Sequence, residues 1–269
     1  MLQVRNVRLS FEDVPRHWFA GHLAATHLSN ALGLLFPAGE RFFIRSVRHY
    51  LPELERDPAF MAEIEAFFGQ EGNHAREHQR MFSALEAQGF ELRPFLELYE
   101  RVMFERIEPL LPAWLRLSMT AACEHFTASL ADNALRSEVF DEVHPQMREL
   151  LLWHAAEEIE HKAVAFDVLQ RLHPSYAVRV AGLLFATATL LSWWLIGFRS
   201  LVAQEDCSSF EALRSLRSQA SPKREQSPFE VIGSAFVAYL RPGFHPWKHD
   251  NADLAREFIQ GMGVSVRGR

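Results

Sequence analysis

Two four-residue patterns constrain this chain more than any other feature: Glu71-Gly72-Asn73-His74 and, far downstream, Glu158-Ile159-Glu160-His161. Each is an acid followed three residues later by a histidine, inside a stretch that reads as a long helix. That spacing puts both side chains on one helical face, so each pair can grip the same metal ion. Two such pairs, with one glutamate from each of two further helices, are the ligand set with which a four-helix bundle holds two metals.

The chain supplies both extra glutamates. An apolar stretch from Leu23 to Phe36 reads as broken at Pro37, and Pro37 opens a new helix over 38–51 that carries Glu40 among Phe42, Phe43, Ile44 and Val47. Asp57-Pro58 is a helix start, an N-cap acid followed by proline, and Gly89 is a natural stop near Gln88. Phe60, Ile64, Phe67, Phe68, Met81 and Leu85 give this helix a 3.6-residue rhythm, interrupted by the polar run 70–79 that contains Glu71 and His74. A connecting helix is expected over 94–108. An apolar helix over 113–136 carries Glu124, and another, from Pro145 to Leu172, carries the polar cluster 154–162. The fold expected is all-α: a ferritin-like four-helix bundle over 1–175 with an N-terminal extension, then additional C-terminal helices over 176–269.

Glu40, Glu71, Glu124 and Glu158 are spaced by 31, 53 and 34 residues, which fits two short helix pairs joined by a crossover. The residue types follow from charge. Two adjacent divalent ions carry four positive charges, four carboxylates neutralise and bridge them, and His74 and His161 complete the coordination with positions left open. A lone acid-x-x-histidine is commonly a surface ion pair. Inside apolar helices an unpaired buried carboxylate is too costly for that reading.

The segments Phe36-Pro37-Ala38-Gly39-Glu40-Arg41-Phe42-Phe43, Gly69 to His78, Cys123-Glu124-His125-Phe126-Thr127-Ala128 and Glu157 to Lys162 resemble the bacterial family labelled "predicted metal-dependent hydrolase". The resemblance covers most of 1–200, and the ligand pattern is similar to that of ferritin-like di-iron proteins. It implies a bundle whose six ligands are Glu40, Glu71, His74, Glu124, Glu158 and His161. His154 lies one turn before Glu158, a spacing similar to that in the di-iron arylamine N-oxygenases, where an added histidine ligates one iron. Ligand and supporting or packing histidine both stay open for it. His78 follows His74 by four residues, where the ribonucleotide reductase small subunit has its radical tyrosine; a histidine there speaks for a hydrogen bond to a ligand.

Neighbouring polar residues receive plainer readings. Glu77, Glu157 and Glu160 point away from the ligand face and are expected to pair with Arg76, Arg80 or Lys162. His125 sits about 100° from Glu124 and is not expected to ligate. Thr127 is positioned to line an oxygen pocket, with packing the expected role. His17, His22 and His27 recur every five residues, which spreads them around a helix. Cys123 and Cys207 give no disulfide framework and no CxxC.

A formal charge of −6 with no basic stripe excludes a nucleic-acid partner; the Arg and Lys of 212–224 read as a solvated helix or loop. The first fifteen residues show no apolar signal region, and the cytoplasm is the default location. Val180 to Phe198 carries no charge, is flanked by Arg179 and Arg199, and contains Trp193-Trp194. It would span roughly 28 Å, close to a bilayer core. Interfacial anchoring in a membrane and burial on the bundle, with Ala181, Gly182, Ala186 and Ala188 packing closely, are the two readings. The tail is expected to form short helices with loops at Ser221-Pro222 and Arg241-Pro242-Gly243.

The leading functional expectation is an O2-dependent di-iron enzyme oxidising a small apolar substrate, since Phe43, Phe67, Phe68, Phe126 and Phe166 surround the ligands. It implies two iron ions (manganese or a mixed Fe/Mn pair also suits the donors) and an electron donor, and leaves a membrane surface and a homodimer open as partners. The second expectation is metal-dependent hydrolysis, as the family label states, with zinc as the metal. The third is iron binding or storage, disfavoured because nearly a hundred residues follow the bundle.

Overall fold

The computed structural model describes residues 2–218 and 226–262. These form helices and loops, with no strand among the described residues beyond a single bridge between Phe19 and Val143. In chain order they are α1 (Leu23–Arg48), α2 (Leu51–Leu54), α3 (Pro58–Ala87) and α4 (Arg93–Glu100), which runs on into a π-helical stretch, Arg101–Ile107, and a 3-10 turn, Glu108–Leu110. Then come α5 (Ala113–Arg136), α6 (Pro145–His161), α7 (Val164–Leu172), α8 (Tyr176–Val202), α9 (Ser209–Ser218), α10 (Pro228–Tyr239) and α11 (Ala252–Met262). The all-helical expectation holds. The Ser221-Pro222 loop and the end of the basic run 212–224 lie outside the described residues.

Four helices surround the polar centre: α1 lies on α3, α5 on α6, and α1 also meets α5 while α3 meets α6. The expected break at Pro37 does not occur; α1 runs through it. Proline inside a helix costs about 3 kcal/mol, because its N–H is missing and its ring crowds the carbonyl four residues back. That carbonyl belongs to Gly33, where an added Cβ would stand 3.1 Å from Met81 and 3.3 Å from His78. Gly33 thus lets α3 close onto α1. Leu34, Leu35, Ala38, Phe42 and Phe43 are buried on both sides of the proline, and each large side chain contributes about 1.5–3 kcal/mol, which outweighs the break.

α3 follows expectation. The Asp57 carboxylate accepts from the Phe60 N–H at 3.1 Å, and Gly89 takes the left-handed φ of 91° just past the helix end. The single helix expected over 145–172 is instead two, because α6 stops at His161 and α7 restarts at Val164. At the break Lys162 turns to the C-terminal segment, donating to the His249 carbonyl at 2.7 Å and to Asn251 Oδ1 at 2.6 Å.

The apolar helix is longer than the expected 180–198 and is, among the described residues, the one helix long and apolar enough to cross a membrane. It packs along α5 and α1. Of the features that read as interfacial anchors, Arg199 is exposed and the other three face inward. Trp193 and Trp194 are buried, with Trp194 Nε1 donating to the Leu28 carbonyl at 2.8 Å. Arg179 is buried too, donating to the carbonyls of Tyr239 and Arg241. Only the opposite face, with Leu184, Phe185, Leu195 and Ile196, is exposed. Close packing is realised at Gly182, where an added Cβ would fall on the side chain and backbone of Ser118 in α5.

Replacing Gly182 by Val should therefore destabilise the fold by about 1–3 kcal/mol, read as a lowered thermal midpoint, whereas Ala188→Val on the exposed side should change little. A second expectation concerns acid. Burial pushes His125 down to about 4, although its hydrogen bond to the Ala235 carbonyl pulls the other way. Between about pH 6.5 and 4 the unfolded chain binds the extra proton, so stability falls as pH drops through that window. His125→Gln should flatten that slope in denaturant titrations; an unchanged slope would refute the assignment.

Candidate metal centre

Each expected ligand is delivered to one buried place. α1 brings Glu40, α3 brings Glu71 and His74, α5 brings Glu124, and α6 brings His154, Glu158 and His161; none is more than 4 % exposed. Three triads have ligand atoms close enough to share an ion: Glu40 with His74 and His154, Glu71 with His74 and Glu158, and Glu71 with Glu124 and His161. Glu71 and His74 each belong to two of them. His161 Nε2 stands 3.1 Å from Glu71, 3.4 Å from Glu124 and 3.6 Å from Glu158, while His74 Nδ1 is 3.9 Å from Glu71 and 3.7 Å from Glu158.

Behind these residues lies a polar frame in which each motif aims the histidine of the other. Gln70, just before Glu71, accepts from His161 Nδ1 at 3.0 Å; Glu157, just before Glu158, accepts from His74 Nε2 at 3.0 Å. The Gln70 amide nitrogen is committed to the Gln3 carbonyl at 3.1 Å and to Glu160 at 2.9 Å, so its oxygen must be the acceptor. His161 therefore carries a proton on Nδ1 and turns Nε2 toward Glu71, Glu124 and Glu158, whose charge outweighs burial and pushes the imidazole well above its usual range. His74 is reversed, with Nε2 outward and Nδ1 inward. Arg5 closes the frame, donating to Glu157 at 2.9 Å and to Glu160 at 2.6 and 2.8 Å. Burial pushes Glu157 up to about 7, with Arg5 pulling against it.

His78 and His154 form a chain into the centre. His78 Nε2 lies 2.8 Å from His154 Nδ1, and His154 Nε2 lies 2.8 Å from Glu158 and 3.7 Å from Glu40. His78 thus sits behind His154 rather than among the carboxylates. Thr127, expected to pack, instead donates a hydrogen bond to Glu158 Oε2.

Buried together, these acids need protons or a positive partner among them. Burial, with repulsion from the neighbouring carboxylates, drives Glu40 and Glu124 well above the usual carboxylate range. For Glu158 burial is outweighed by His161 and His154, which hold it well below that range. Both oxygens of Glu40, Glu71 and Glu124, and the inward nitrogens of His74 and His161, are buried without a hydrogen-bond partner. Uncompensated, such groups cost several kcal/mol each. Oxygen and imidazole donors converging in this way fit one or two divalent cations.

Other expectations need correction. Glu77 does pair with Arg76 and Arg80, at 3.0 and 2.7 Å. Glu157 and Glu160 instead pair with Arg5, which lies far away in sequence and gave no signal there. Gln70 and Glu157 were findable: each immediately precedes a ligand glutamate in an otherwise apolar helix. His17 and His27 do not spread apart on one helix, because His17 precedes α1; both meet Glu205, at 3.1 and 2.8 Å, where Arg16 also donates. His125 faces the Ala235 carbonyl, away from the centre. Among the described residues Cys123 and Cys207 are free thiols.

A cavity of about 450 Å³ reaches the centre at Thr127, His154 and Glu158. A smaller one, of about 80 Å³, touches Glu40 from the side of Tyr99, Met103 and Trp193. Leu32, Phe36 and Thr127 line both, and the Phe36 ring packs on His154 and His78.

Compared with known proteins, residues 3–250 match the family model described as "Predicted metal-dependent hydrolase". No curated protein and no solved structure matches. The match spans the helices that build the centre and continues through α8 and α10.

If the frame matters as drawn, Arg5→Ala should leave Glu157 and Glu160 unpaired, costing about 3–5 kcal/mol in denaturant unfolding and weakening metal binding about 10–100-fold. Unchanged stability and metal affinity would show that Arg5 is dispensable.

Proposed function

The chain belongs to the family of predicted metal-dependent hydrolases, and we propose that it is an enzyme working through two metal ions held by Glu40, Glu71, His74, Glu124, Glu158 and His161, with His154 as a further ligand. The site is of ferritin-like, di-iron carboxylate type, and the reaction is the O2-dependent oxidation of an apolar organic substrate. One observation carries this: four buried carboxylates and two inward imidazole nitrogens converge, largely without hydrogen-bond donors of their own, at the end of an apolar cavity.

Bound there, a ferrous pair would supply electrons for reducing dioxygen, and a redox-inert pair would supply Lewis acidity and an activated water. The chain's own contributions are separate from that chemistry. Gln70 and Glu157 fix the tautomers of His161 and His74, so both imidazoles arrive preorganised. Thr127 holds Glu158 by one oxygen and sets its orientation at the cavity wall. Phe36 and Leu32 wall the centre with apolar surface, which suits a reactive, water-sensitive step.

Hydrolysis is the second reading, and the family description favours it. Against it weighs the scarcity of polar groups along the large cavity, where a hydrolase of polar esters or phosphates would need them. Iron storage is a weaker third reading; a large spherical oligomer in solution would revive it.

Metal analysis of the purified chain should give about two irons, and Glu71→Ala or Glu158→Ala should abolish that stoichiometry. The reduced protein should consume O2 faster when apolar substrate is present. Hydrolytic turnover by the anaerobic zinc form would overturn the oxidative reading in favour of the second, and stoichiometric metal retained by E71A would overturn both.

A further inference from the structure

We infer that the large cavity accepts one unbranched aliphatic chain with an uncharged polar head, laid lengthwise along the helices with its tail end at Thr127, His154 and Glu158. The inference rests on the dinuclear reading only for what happens at that inner end. The occupant's shape follows from the walls.

On α1, α5 and α6 the lining residues form one stripe per helix, with the inner end at the C-terminal side of the α1 and α6 stripes and the N-terminal side of the α5 stripe. On α1 the stripe is Ala25, Leu28, Leu32 and Phe36, continuing one turn later to Glu40. On α5 it is Leu130, Ala131 and Ala134, beginning at Thr127. α6 adds Leu151 and Ala155 beside His154 and Glu158. From Phe36 back to His22 is about 21 Å of helix, and from Thr127 on to Ser137 about 15 Å. A cavity of that length exceeds what a single ring system fills, and its volume of about 450 Å³ lies within the range of small-molecule sites.

Polarity is confined to the two ends. The inner end carries Thr127 and the centre. The outer end carries His22, Asn133, Ser137 and, at the exposed start of α10, Ser227. Among the described residues no Lys, Arg or Asp lines the cavity, and the one acidic residue there, Glu158, sits at the inner end. The described residues of the outer end therefore offer polar groups without a fixed charge, which fits a hydroxyl or amide head better than a carboxylate or an ammonium group. Between the ends an extended chain meets only carbon-rich walls, interrupted by Ser29.

Calorimetric titration of the metal-loaded full chain with 1-alkanols from hexanol to hexadecanol tests this. Each added methylene should tighten binding roughly fourfold until the cavity is filled, after which affinity levels off. 1-Decanol should bind at least about tenfold tighter than 1-adamantanol, which has the same carbon count and head but a compact body, and tighter than decanoate. Ala25→Phe and Ala134→Phe, both at half-buried wall positions, should shorten the chain length at which affinity levels off while leaving hexanol within about twofold. Affinity that ignores chain length, or equal binding of decanol and adamantanol, would overturn the inference. Metal content measured on the same samples separates the two readings. Two metals without chain-length dependence defeats this inference alone, whereas chain-length dependence in a protein that binds no metal defeats the dinuclear function alone.

Discussion

Four carboxylates share one apolar interior, and the rest of the architecture follows from that fact. Carboxylates at this burial repel one another and have lost their water, so the fold is tenable only with cations or protons among them and with every nearby donor aligned. The surroundings are built accordingly. Helices α1, α3, α5 and α6 each contribute at least one acid, so no single helix bears the whole charge. In an outer layer Gln70 and Glu157 accept from the two histidines, and Glu160 and Arg5 hold Gln70 and Glu157 in turn.

The candidate ligand set was legible in the sequence because its residue types are improbable where they stand. A glutamate and a histidine one turn apart in an apolar helix need a reason, and two such pairs with two further glutamates leave few alternatives. The structure brings all seven predicted donors into contact range. What stayed hidden depended on long-range geometry. Arg5 sits in an irregular segment with no pattern to mark it, yet it meets residues more than 150 positions away. The cavity was invisible because alanines and leucines at helical spacing look the same whether they pack on a neighbour or line a space.

Local rules failed where packing outweighed them. Pro37 reads as a helix boundary, but the apolar residues on both sides of it are worth more buried than the broken hydrogen bond costs. Trp193, Trp194 and Arg179 read equally as interfacial anchors or as packing residues from their order along the chain; their direction, which only the fold supplies, points into the protein, while Arg199 and one face of the helix stay exposed. In both cases the sequence displays the residue and hides the face it presents.

The exchange of support between the two motifs also bears on how the protein matures. A ribosome that has released the chain only as far as α3 has made Glu71 and His74, but the carboxylate that turns His74 inward lies 83 residues further on. The second motif, in turn, emerges with Gln70 already waiting for His161. The first half alone presents an unaimed imidazole and two acids with no partner. The candidate donors are therefore oriented only once synthesis has passed residue 161, so their geometry belongs to the folded whole and to neither half alone.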